Sequence, residues 1–119
     1  MASRCERPTL MLRTEAVPRT EAFSLGADAF DKATTAWNKK RYPEAASGFM
    51  LASAHFAAAG VEGNWKYAWQ NAALSFEAAN LIEAGKAAFE DAATKEKDPA
   101  HAQALRAAAS KLSASGACP

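Results

Sequence analysis

The residues from Trp65 to Ala93 place large aromatic and small side chains on two successive helical stripes, and this constrains the fold more than any other stretch. Asn80 lies between the stripes and tolerates the left-handed turn that ends a helix. Small residues let two helix backbones approach closely, and aromatic rings fill the remaining volume, so this stretch predicts an antiparallel helical hairpin. The first stripe consists of Trp65, Ala68, Trp69, Ala72, Ala73 and Phe76, and the second of Ile82, Gly85, Ala88, Phe89 and Ala92.

Alanine supplies much of the apolar half of the 119 residues, which favours closely packed helices and predicts a single all-α domain. The net charge of +1 is spread over interspersed charges, and the basic triplet Lys39-Lys40-Arg41 stands where a helix is expected to end. We therefore expect no nucleic-acid partner. No apolar run is long enough to span a membrane, and no signal peptide is recognisable, so a cytoplasmic protein without a membrane partner is predicted.

Cys5 and Cys118 lie near opposite ends of the chain, and neither belongs to a CxxC motif or a Cys/His cluster. Two reduced thiols fit a cytoplasmic protein. A disulfide that joins the two tails is the alternative, because chain termini often lie close together.

Helix signals divide the chain into five helices between an N-terminal arm, residues 1–23, and a tail, residues 114–119. Ser24 is the predicted N-cap of the first helix, which extends to about Lys39. Pro43 fits the start of the second helix, and Gly60 ends it. Asn64 is the predicted cap of the third helix.

The fourth predicted helix extends from about Leu81 to Glu96. Asp98 followed by Pro99 is a cap-plus-proline start, and it opens a fifth helix that ends near Ser113. A shift of the chain by forty positions superposes Ala33 on Ala73 and Phe49 on Phe89, which indicates an internal repeat.

These residues resemble the tetratricopeptide repeat family, whose 34-residue unit is a helical hairpin. Residues 66–99 match the family pattern at several positions, and residues 26–59 match it more weakly, without the early tryptophan or the closing proline. Residues 99–113 would be a capping helix. The matching residues are Trp69, Ala73, Phe76, Gly85, Phe89, Ala92 and Pro99, and in the weaker unit Ala33, Tyr42, Ala45, Phe49 and Ala52.

The resemblance implies a short superhelix of stacked hairpins whose concave groove binds a peptide or a helix of a protein partner. Asn71 matches the asparagine with which chaperone-binding members hold a peptide carboxylate, but the basic residues of that clamp have no counterpart here. A carboxylate clamp is therefore not expected. The groove residues implied by the family are Phe30, Thr34, Trp37, Asn38, Tyr67, Gln70, Asn71 and Leu74.

An enzyme is not expected, and neither a metal nor another cofactor is. His55 and His101 are predicted to lie on separate helices and are interpreted as solvated or core-edge residues. Sequence motifs for metal-dependent hydrolysis, phosphate binding or a serine nucleophile are missing. The main functional hypothesis is a non-enzymatic adaptor. The alternative is a self-associating module, possible as a homodimer, in which the arm fills its own or a neighbour's groove.

Overall fold

The computed structural model describes residues 20–112, and these form five α-helices. Helix α1 spans Glu21–Asn38, α2 spans Tyr42–Ala58, α3 spans Glu62–Ala78, α4 spans Ile82–Lys95 and α5 spans Pro99–Lys111. No strand occurs within residues 20–112, so the predicted all-α class is confirmed. Among the helices described, none combines the length and the apolarity that a membrane span requires.

The first three connections are the same three-residue turn, repeated every twenty residues. Lys40, Gly60 and Asn80 adopt left-handed backbone conformations, with φ of 60°, 75° and 57°. The residue after each turn position donates its amide to a carbonyl five residues back, for example Val61 to Phe56. This pattern is the Schellman motif, which ends a helix and reverses the chain. Four consecutive helices are thereby connected as hairpins.

The starts of two helices differ from the prediction. The hydroxyl of Thr20 accepts the amide of Phe23 at 3.1 Å, so α1 begins at Glu21 and Ser24 lies inside the helix. Phe23 consequently belongs to the helical domain and packs on Phe56, with ring centroids 5.6 Å apart. Helix α3 begins at Glu62, so Asn64 is a fully buried residue within it, not its cap. Asp98 does cap α5, and its carboxylate accepts the amide of Ala100.

The core centres on α2, which packs along α1 on one side and α3 on another. Phe30 and Phe49 meet edge to face across the α1–α2 interface, with centroids 5.1 Å apart. Gly48 permits this close approach, because a Cβ there would stand 2.8 Å from the Cβ of Ala33. The close packing through small residues that was predicted for α3 and α4 is therefore found between α1 and α2, whereas the contact between α3 and α4 is small.

Helix α4 packs mainly along α5 and meets α3 through a smaller contact. Phe76 and Phe89 form the centre of that contact at 5.7 Å, and Gly85 lies against the ring of Phe76. Hairpin stacking agrees with the sequence prediction, whereas the tetratricopeptide type of superhelix stays a prediction. Residues 1–19 of the predicted arm, the expected helix end at Ser113 and the tail lie outside the described residues, as do both cysteines.

Candidate functional site

The groove residues implied by the family resemblance do not share one exposed surface. Phe30 has no exposed surface, and Asn71 is only 2% exposed, so both are core residues. The hydroxyl of Thr34 is also buried. Trp37 is half-buried and packs on Tyr42 at 4.8 Å, beside the first turn.

The remaining predicted groove residues are more accessible. Tyr67 and Leu74 are half-buried, whereas Asn38 and Gln70 are exposed. Tyr67 and Gln70 lie together on α3 in a shallow depression whose other lining residues are Glu62, Gly63 and Lys66. The structure therefore brings Tyr67 and Gln70 together on α3. The groove residues predicted on α1 lie apart from them, because α2 packs between α1 and α3.

A larger cleft opens between α2 and α4, with α5 as its floor. Its volume is about 420 Å³. Leu51, on the α2 wall, is the most exposed large apolar residue of residues 20–112, at 53%. The lining residues are Met50, Leu51, Ser53 and Ala54 of α2, Ala88, Asp91, Ala92 and Lys95 of α4, and Glu96, His101 and Leu105 at the base.

The helical periodicity of the two walls explains why the cleft is apolar. On α2, Phe49 and Phe56 face the core, and Met50 and Ala54 stand next to them around the helix. On α4, Phe89 faces the core and Ala88 and Ala92 flank it. Because α2 packs on α1 and α3 while α4 packs on α5, the two walls do not close against each other.

A chain of hydrogen bonds forms the polar part of the cleft floor. Nδ1 of His101 lies 2.6 Å from a carboxylate oxygen of Glu96, and Nε2 lies 2.6 Å from the hydroxyl oxygen of Ser53. That hydroxyl also donates to the backbone carbonyl of Trp65 at 3.3 Å. The imidazole packs on the indole of Trp65 with centroids 4.7 Å apart. One buried histidine therefore connects α5 to α2, α3 and the end of α4.

Glu96 also organises the connection between α4 and α5. Its second carboxylate oxygen accepts the amides of Lys97 and Asp98, each at 3.1 Å. These two amides precede α5, so no helical carbonyl accepts them. The Glu96 carboxylate supplies the acceptor that they would otherwise lack. The Glu96–His101 pair thus joins the residue after α4 to the first turn of α5 at the base of the cleft.

The order Ser53, His101, Glu96 is also the order of groups in a serine-hydrolase triad. A nucleophile must reach a substrate carbonyl, and Ser53 is only 1% exposed. The hydroxyl lies 2.6 Å from Nε2 of His101 and 3.3 Å from the Trp65 carbonyl, so both of its hydrogen-bond partners are groups of the fold itself. The geometry supports a structural clamp, with the cleft above it as the accessible feature.

The rim of the cleft carries one acid and one base from the same helix. Asp91 and Lys95 form an i,i+4 ion pair at 3.1 Å, with side chains 66% and 76% exposed. An exposed pair of this kind contributes little to stability, so both charges remain accessible to a partner. No cluster of three potential metal ligands occurs among the described residues.

Comparison with known proteins adds no relative: no family model, no curated protein and no solved structure matches the chain. The tetratricopeptide resemblance accordingly stays a prediction. Sequence reasoning missed Ser53 and Glu96, because neither residue belongs to a local motif with His101. The one available signal was Leu51, an apolar residue on the helix face opposite to the predicted stripe of α2.

Proposed function

We propose that this protein is a non-enzymatic interaction module whose α2–α4 cleft binds an amphipathic helix of a protein partner. The observation that carries the proposal is Leu51, which stands exposed beside an apolar cleft of about 420 Å³. Soluble proteins expose single leucines without consequence, but an exposed leucine on the wall of an apolar concavity is typical of a binding site.

The shape of the walls favours a helix as the ligand. Ala54, Ala88 and Ala92 supply only methyl groups, so a third helix can approach two existing helices at ordinary packing distance. An extended peptide would need backbone partners, and helices α2 and α4 use their own backbone groups internally. An apolar side chain of the bound helix would lie over Leu105 between Met50 and Ala88.

The polar residues fit this role without taking part in it chemically. The Ser53–His101–Glu96 clamp is satisfied internally, so it holds the floor in place before the partner arrives. A preformed site loses less entropy on binding than one that must be ordered. Asp91 and Lys95 lie at the edge, where rim charges set orientation and association rate more than affinity.

The test is the binding of a fluorescent probe helix to the full chain, measured by anisotropy. The probe carries leucines on one face and alternating glutamate and lysine on the other. Ala54→Glu places a charge in the cleft at an exposed position and should weaken binding at least about tenfold. Ala87→Glu adds the same charge to an exposed position of α4 that does not line the cleft, and should bind like the wild type.

Equal weakening by the two variants would contradict the cleft as the binding site. Binding that survives Ala54→Glu but is lost in Gln70→Glu would place the ligand at the α3 depression instead. These comparisons require that Ala54→Glu, Ala87→Glu and Gln70→Glu each keep the unfolding temperature of the wild type.

A further inference from the structure

The α2–α4 cleft is apolar, and an exposed apolar side chain, that of Leu51, stands on its wall. Leu51 projects from the α2 wall with 53% of its surface exposed, and the apolar concavity lies directly beside it. A surface with both an apolar projection and an apolar hollow can pair with a copy of itself, because each copy offers what the other receives. Two-fold interfaces need this kind of self-complementarity.

The two charges on the rim, Asp91 and Lys95, are also complementary to a second copy of themselves. Asp91 and Lys95 lie one helical turn apart on α4 and point to the same side. If two α4 helices run antiparallel across a two-fold axis between these positions, Asp91 of each copy faces Lys95 of the other. Opposite charges then meet twice at the interface, and no like charges are opposed.

We infer that the partner helix of the proposed cleft belongs to a second copy of this chain, so that the protein forms a two-fold dimer through α2 and α4. This inference rests on the proposed function and names its partner. In this arrangement α4 packs against α4 of the other copy, and Leu51 of each copy lies over the mouth of the other's cleft. The net charge of +1 means that two copies repel each other only weakly.

The first experiment is sedimentation equilibrium of the full chain between about 1 μM and about 1 mM. The wild type should pass from monomer to dimer over this range. Leu51→Ser should raise the dissociation constant about tenfold to a hundredfold, because it removes a leucine side chain from the interface. Leu25→Ser is the matched control, since Leu25 is 45% exposed on α1 and does not line the cleft, and it should change the constant less than about twofold.

The second experiment exchanges the rim charges. Asp91→Lys and Lys95→Asp each place like charges opposite each other in a homodimer, so each variant alone should dimerise at least about tenfold more weakly. In an equimolar mixture the two variants face each other with opposite charges, and dimers should return as a heterodimer. This recovery cannot arise from loss of folding or from a distant effect of either substitution.

A wild type that stays monomeric up to about 1 mM would overturn the dimer. The proposed function would survive that result if the probe helix still bound and Ala54→Glu weakened it. A dimer that resists Leu51→Ser but dissociates in the double variant Leu10→Ser, Leu12→Ser would also overturn the inference, because residues 1–19 would then supply the contact. A dimer without recovery in the mixed charge variants would contradict the two-fold arrangement.

Discussion

The imidazole of His101 lies 2.6 Å from the hydroxyl of Ser53, a residue 48 positions earlier, and this contact joins the start of α5 to the middle of α2. Glu96 holds the other ring nitrogen at the same distance. Because Glu96 directly follows α4, the network links the end of α4 to the middle of α2. One buried histidine therefore supports the base of the proposed binding cleft.

Replacing His101 with alanine should lower the free energy of unfolding by about 2–4 kcal/mol. The variant loses the ring that packs on Trp65, and it removes one hydrogen-bond partner each from Ser53 and Glu96. Urea unfolding measures the change, and Gln103→Ala on the exposed side of α5 should stay within about 0.5 kcal/mol. Equal effects of the two variants would show that the network is not a clamp.

A fluorophosphonate probe should leave Ser53 unmodified. The hydroxyl belongs to a side chain that is only 1% exposed, so the phosphorus atom of the probe cannot reach it. Intact-mass spectrometry after incubation checks this, with Ser53→Ala as the reference sample. An adduct on the wild type that is missing from Ser53→Ala would revive a hydrolytic function.

Lys40→Gly should raise the free energy of unfolding by about 0.5–1 kcal/mol. Lys40 has a φ of 60°, a conformation that costs a residue with a Cβ and suits glycine. Lys39 is the matched control, since its φ is −90° and glycine there adds only chain entropy in the unfolded state. Thermal unfolding should show Lys40→Gly above the wild type and Lys39→Gly below it, and the reverse order would contradict the turn assignment.

Gly48→Ala should destabilise the protein by about 1–3 kcal/mol, although alanine is the better helix former. The added methyl group would stand 2.8 Å from the Cβ and 3.2 Å from the Cα of Ala33, and neither atom can move without shifting α1. Differential scanning calorimetry measures the loss. A stabilised Gly48→Ala variant would mean that α1 and α2 are farther apart at Gly48 and Ala33 than these distances indicate.

Local signals predicted much of the fold. Gly60 and Asn80 occupy left-handed turns, Pro43 and Pro99 lie in the first turns of their helices, and Asp98 caps α5. Each of these residues acts through its own backbone or its nearest neighbours, so sequence alone reveals it. The start of α1 was missed because Thr20 and Ser24 are both suitable caps, and only the bond to Phe23 decides between them.

The cleft could not be predicted in the same way. The exposure of Leu51 depends on where α4 lies relative to α2. That position results from contacts between distant parts of the chain, which include the packing of α4 on α5 and the network of Ser53, Glu96 and His101. Phe30 was predicted to lie in a binding groove, and this prediction is wrong. Its predicted groove position came from matching a family pattern, whereas its ring fills the core against Phe49.

The most direct test of the binding cleft is a map of backbone amide shifts when the probe helix is added to the ¹⁵N-labelled full chain. We predict that the largest shifts occur at Leu51, Ala54, Ala88 and Ala92, which line the two walls. Shifts that concentrate instead at Tyr67 and Gln70, with the cleft unchanged, would contradict the account and place the binding surface on α3.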